Sequence, residues 1–135
     1  QIAQKRNKWA VGQASDMTKV GSKSHLTAIV DVWDEYYVSR TKAVMDGTWK
    51  SQDVWKGLKA GMLTMAPYNK AIPAGAVAKA KQMEADIKAG KFHSFQGPIN
   101  NQAGKLVVPA GQRVSDKDLL SMNWYVEGVQ GKLPK

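Results

Sequence analysis

Two short apolar runs separated by a polar stretch decide the architecture of this chain: Trp9-Ala10-Val11-Gly12, and then Leu26-Thr27-Ala28-Ile29-Val30. The first is stopped by Gly12 and reads as a strand. The second is rich in β-branched residues and carries no charge, which reads as a strand buried on both faces, as in a parallel sheet flanked by helices. Between them lies Gln13-Ala14-Ser15-Asp16-Met17, followed by residues 18–24, rich in Lys, Ser and Gly and read as an exposed loop. Strand, polar loop, strand is the pattern at the C-terminal edge of a parallel α/β sheet, where such folds bind ligands.

Downstream of the second run the apolar period changes from two to about 3.6, so residues 32–45 are predicted as a helix. Trp33, Tyr36 or Tyr37, Arg40 and Val44 recur at spacings of three and four. Asp31 is a candidate N-cap, Asp34 and Glu35 suit the first turn, and Gly47 after Asp46 closes the helix. Residues 49–67 read as one or two short strands, with Gly57 and Gly61 as turn points and Met62-Leu63-Thr64-Met65 as the apolar centre. A second helix starts at Pro73, continues through Val77, Ala80 and Ile87, and stops at Gly90. Residues 91–96 and 105–108 are predicted to pair as a hairpin across a long turn holding Asn100, Asn101 and Gly104. Ser115 with Asp118 three residues on predicts a capping box for a short helix over 116–123.

Composition narrows the chemistry. The 135 residues fit one ordinary domain able to bury roughly two-thirds of its unfolded surface. With no Cys, thiolate zinc sites, disulfide frameworks and cysteine nucleophiles are excluded together. His25 and His93 stand too far apart in sequence for a local His motif, so neither metal nor cofactor is expected, and a hydrolase or metalloenzyme is disfavoured. No apolar run approaches the ~20 residues that span a bilayer. The net charge of +9 fits a phosphate binder. Against that, seventeen of the twenty basic residues are Lys and only Arg6, Arg40 and Arg113 are Arg, the residue that grips phosphate bidentately. Scattered Lys beside Asp, as at Asp116-Lys117-Asp118, reads as a solvated surface, with a small basic nucleic-acid-binding protein as the alternative function. The chain starts at Gln1 with no Met, which reads as a processed or trimmed piece of something larger, and ends on the polar Gly131-Lys132-Leu133-Pro134-Lys135.

Three positions stand out as candidates for ligand contact. Asp16 follows the first strand at the ligand-binding edge; its carboxylate can accept two hydrogen bonds, as from a sugar diol or an exocyclic amine, or it can simply cap its own turn. Asp31 and Trp33 sit where the second strand meets the helix. Trp33 can stack on a flat ligand, or anchor the helix in the core. Trp49, Trp55 and Trp124 fit the ends of a core, and Gly57, Gly61, Gly75 and Gly90 are too scattered for a phosphate-cradling loop.

The segments Trp9-Ala10-Val11-Gly12 with Asp16-Met17, and Leu26 to Trp33 with Tyr36-Tyr37, resemble the basic membrane protein (BMP) family of ABC transporter substrate-binding proteins. Further matches are Ala43 to Trp49, Gly57 to Met62, and Asp118 to Val129. The resemblance implies an α/β chain that is the C-terminal portion of a type I periplasmic-binding fold, with two lobes joined by hinge strands. Residues 1–25 would end the second lobe, and 26–135 would hold a hinge strand and segments returning to the first, followed by a C-terminal extension. The first lobe as a whole would lie outside the chain. It further implies an exported, periplasmic, non-catalytic, lipoprotein-like receptor that closes over a purine nucleoside or nucleobase, such as adenosine or adenine. The partners it implies are the remaining N-terminal part of the same protein and a permease in the inner membrane, with no nucleic acid. Asp16, Met17, Asp31 and Trp33 are the ligand-binding residues expected on that basis. Asp31 occupies a position commonly held by Lys in nucleoside-binding relatives; a carboxylate there accepts, as from an adenine amino group, where an ammonium donates.

Overall fold

The uncharged second run forms the central strand of a three-stranded sheet in the computed structural model, which describes residues 1–21 and 23–134. The chain divides into two units, Gln1–Ala89 and Gly90–Lys135. In the first, β1 (Ala10–Ala14) pairs in parallel with β2 (His25–Asp31), setting Gly12 opposite Ala28 and Ala14 opposite Val30. On the other edge of β2, β3 (Leu63–Met65) runs antiparallel, with Ile29 opposite Met65 and Asp31 opposite Leu63. Backbone bonds extend this pairing past the strand ends: Val32 donates to the Met62 carbonyl at 2.9 Å, Ala66 to Ala28 at 2.8 Å and Asn69 to Leu26 at 2.7 Å. The fold is α/β with a parallel pair, as predicted, while the third strand makes the sheet mixed.

Helices flank these strands. After the short α1 (Ile2–Lys5), the stretch predicted as loop forms one helical turn, α2 (Thr18–Gly21), where Val20 and Gly21 both donate to the Met17 carbonyl. Ser22, part of that predicted loop, lies outside the described residues. The long helix α3 (Asp34–Met45) begins two residues later than predicted. Asp31 is still paired in β2, so it does not cap the helix; Trp33 holds the N-cap position without a side-chain cap bond. Asp34 and Glu35 do fall in the first turn, where they favour the helix dipole. Beyond it, residues 49–57 form no strand, a 3₁₀ turn covers Leu58–Ala60, and Gly61 in the left-handed region (φ +74°) turns the chain into β3. Helix α4 (Ala74–Lys88) follows directly after Pro73, as predicted, and carries the i,i+4 pair Glu84–Lys88.

In the second unit, β4 (Ile99–Asn100) and β5 (Leu106–Val108) form the hairpin. Its first arm lies later than the predicted 91–96, because the Asn101 side chain accepts from the N–H groups of Ala103 and Lys105 and so builds a tighter turn. Helix α5 (Asp116–Leu120) ends three residues before the predicted limit. Its start is as predicted: Ser115 Oγ accepts from the Asp118 N–H at 3.2 Å and donates to the Asp118 carboxylate at 2.6 Å. The C-terminal segment is tied to the hairpin by Gln102, whose side-chain amide donates to the carbonyls of Val129 and Gly131.

Burial is concentrated on the first half of β2. Ser24, His25, Thr27 and Ala28 are buried there together with Ala66, and the Thr27 hydroxyl donates to the Ala66 carbonyl at 2.8 Å. The expectation of a strand buried along both faces fails at Ile29, which is 42% exposed.

Candidate functional site

The site is built by a turn at the end of β1. Ala14, the last residue of that strand, adopts φ +67°, a region that side chains other than Gly, Asn and Asp seldom enter. This turns the Ser15 carbonyl back towards Gly12, beside the His25 ring of the neighbouring strand. A Cβ on Gly12 would lie 2.9 Å from the Ala28 Cβ, 3.0 Å from His25 Cε1 and 3.3 Å from the Ser15 oxygen. The missing side chain of Gly12 gives room for Ala28 and the His25 ring to pack against β1.

The turn brings Asp16 beside the His25 ring. Its Oδ1 accepts from both the backbone N–H (2.9 Å) and the hydroxyl of Thr18. His25 Nε2 lies 3.4 Å from the same oxygen. That approach is electrostatic, without hydrogen-bond alignment, so the buried Nε2 has no hydrogen-bond partner, a condition that costs about 1–3 kcal/mol. The Thr18 hydroxyl, then its N–H, hold the Asp16 carboxyl below the ordinary value; desolvation opposes them, and the neighbouring His25 and Lys19 add to the lowering. Asp16 is therefore an anion at neutral pH. Both Thr18 hydrogen bonds and the His25 approach fall on Oδ1, and among the described residues nothing engages Oδ2. The side chain keeps 40% of its surface exposed, so Oδ2 is free to accept from a ligand.

The other expected residues are placed differently. Met17 is next in the turn, with its side chain exposed and its carbonyl engaged by α2. Asp31 is half-buried at the end of β2, directly after Val30, which pairs with Ala14 two residues before Asp16. Trp33, 45% exposed, forms an aromatic group with Tyr36 and Tyr37, its ring centroid 5.8 Å and 5.9 Å from theirs. The Arg40 guanidinium sits 5.7 Å from the Tyr36 ring centre. Two open concavities in the first unit lie elsewhere: a groove of about 780 Å³ between residues 65–72 and α4, and a cleft of about 370 Å³ between the start of α3 and residues 60–62. Neither is lined by Asp16, Met17, Asp31 or Trp33. Sequence reasoning missed His25, since a lone histidine has no spacing to reveal it.

Among the described residues no group of three or more His, Asp or Glu could hold a metal ion. Nor is any described helix long and apolar enough to cross a membrane.

A parallel strand pair extended by an antiparallel strand and accompanied by helices gives the first unit an α/β fold. The family model described as ABC transporter substrate-binding protein, PnrA-like (Bmp), matches residues 1–101, and the chain belongs to this family. The family is one of substrate-binding proteins, not of enzymes. Across all 135 residues the chain is 47% identical to a purine-binding protein of Brucella abortus (strain 2308). The match covers the whole of this chain but 38% of that relative, so the chain spans well under half of the relative's length. Among solved structures, the crystal structure of a transcriptional activator of the comK gene from Bacillus halodurans superposes with a TM-score of 0.58 at 20% identity. That superposition covers 67% of this chain and 32% of the other, and the similarity is one of fold.

Proposed function

We propose that this chain provides one side of the ligand cleft of a periplasmic ABC importer receptor, with a purine base or nucleoside as ligand. In this reading residues 1–25 end one lobe, and residues 26–135 carry the hinge strand and the segments returning to the other. The observation that carries the reading is Asp16, an anion anchored through Oδ1 with Oδ2 open, in a chain of a substrate-binding family with a purine-binding relative. Oδ2 accepts from a ring N–H, an amino group or a ribose hydroxyl of the ligand. Asp31 accepts from a second donor and Trp33 offers a stacking face, both brought to the ligand as the lobes close, with Met17 against its edge. The ligand leaves chemically unchanged, for the permease of the inner membrane.

Half a clamp leaves one ligand face in water, so affinity depends on both lobes. Isothermal titration with adenine and adenosine tests the reading, using this chain and a two-lobed protein of the relatives' length that ends in it. The two-lobed protein is expected to bind at micromolar concentration or better, and the 135-residue chain far more weakly. Asp16→Asn should weaken binding about tenfold or more, equivalent to about 1.4 kcal/mol. Undiminished affinity in Asp16→Asn, or free base released from adenosine, would count against it.

A further inference from the structure

His25 is buried, with 6% of its side chain exposed, and its Nε2 has no hydrogen-bond partner while facing Asp16 Oδ1 at 3.4 Å. The ring is not free to look elsewhere. Its Cε1 packs over Gly12, and the residue's carbonyl is held by the Asn69 side-chain amide at 2.8 Å. The strand itself is pinned at that point by the pairing of His25 with Ala10. A buried ring nitrogen held on a fixed strand 3.4 Å from the one oxygen of Asp16 that already carries two hydrogen bonds constrains how the carboxylate can rotate. Turning it to bring Oδ2 inward would break both Thr18 bonds and move Oδ1 away from the imidazole.

We propose that His25 is a positioning residue for Asp16: with its proton on Nε2 it stands against Oδ1 and keeps Oδ2 as the oxygen turned towards the ligand. This rests on the reading of Asp16 as a ligand-binding group. It also narrows the ligand chemistry. A carboxylate fixed through one oxygen presents an acceptor and no donor, so the ligand edge that meets it carries N–H or O–H. The 3.4 Å gap closes to a hydrogen bond when a donor on the ligand fixes Oδ2, as polar contacts in ligand-free sites tighten on binding.

The test follows the Asp16 carboxyl carbon by NMR through an acid titration of the 135-residue chain. His25→Phe, which removes the donor, should raise the Asp16 midpoint towards the ordinary carboxylate value. His25→Gln places an amide N–H at similar reach and should bring it partway back. Backbone signals of β2 report that each variant is folded. Should His25→Phe not fold, Asp16→Asn at the exposed end of the contact decides: the His25 Nε2 chemical shift must change, and an unchanged shift overturns the proposal. A folded His25→Phe with an unmoved Asp16 midpoint overturns it as well. In the two-lobed protein, adenine affinity should fall roughly tenfold in His25→Phe and stay within about threefold in His25→Gln. If that protein binds no adenine yet the Asp16 midpoint follows His25, the purine reading fails and the positioning role stands. If adenine binds equally well in wild type and His25→Phe, the positioning role fails and the purine reading stands.

Discussion

Ala14 is where a single backbone angle makes the site. On strand propensity alone, a β-branched side chain would be welcome at the end of β1, opposite Val30. At φ +67° the preference is reversed, because branching at Cβ crowds the carbonyl in the left-handed region. Ala14→Val is therefore expected to destabilise the chain by about 1–2 kcal/mol, read as a lower urea midpoint at unchanged slope. Asp16 supplies a second test at this scale. Its folded carboxyl titrates below the ordinary value, so its contribution to stability is complete above that value and fades as pH falls through the lowered midpoint. Thr18→Val removes the hydroxyl that is the first cause of the lowering. The NMR midpoint of Asp16 should then rise, and acid unfolding should start at higher pH. Asp16 was legible as an acidic residue at a strand end, and the structure holds it by the turn-capping bonds foreseen as its alternative role, with one oxygen to spare. His25 and the φ of Ala14 were not legible: one depends on what lies across the strand pairing, the other on where the chain goes next.

Among the elements, those with a local cause could be read and those with a distant cause could not. The start of α5 belongs to the first kind, since Ser115 and Asp118 satisfy each other within one turn. Ser115→Ala should cost about 1 kcal/mol, seen as faster amide exchange over residues 116–120 with little change in the first unit. Pro73 and Gly90 likewise bracket α4 from sequence alone, Gly90 adopting φ +72°. The start of α3 belongs to the second kind. Asp31 looks like a cap only while β3 is unknown; once Leu63 pairs with it, the strand keeps it and the helix begins at Asp34. The antiparallel sense of β3 was equally hidden, because its three residues look the same in either direction. The hairpin was foreseen, but its arms were displaced, since the side chain of Asn101 and not the apolar pattern fixes the turn.

For the whole molecule, the exposure of large apolar side chains is what departs furthest from the reading of the sequence. The only buried hydrophobic residues among those described are Ala28, Ala66 and Val108, all small or medium in size. Trp9, Val11, Trp33, Val38, Met45 and Trp55 are all exposed. Composition could count these side chains but not say what, if anything, would cover them. Greasy area on this scale makes a chain adhesive. Light scattering of the 135-residue chain should therefore give an apparent mass that climbs with concentration, and a flat trace at the monomer value would contradict the exposure described. For anyone titrating it with a small solute, neighbouring copies are rival occupants, and an honest dissociation constant is the one reached on dilution.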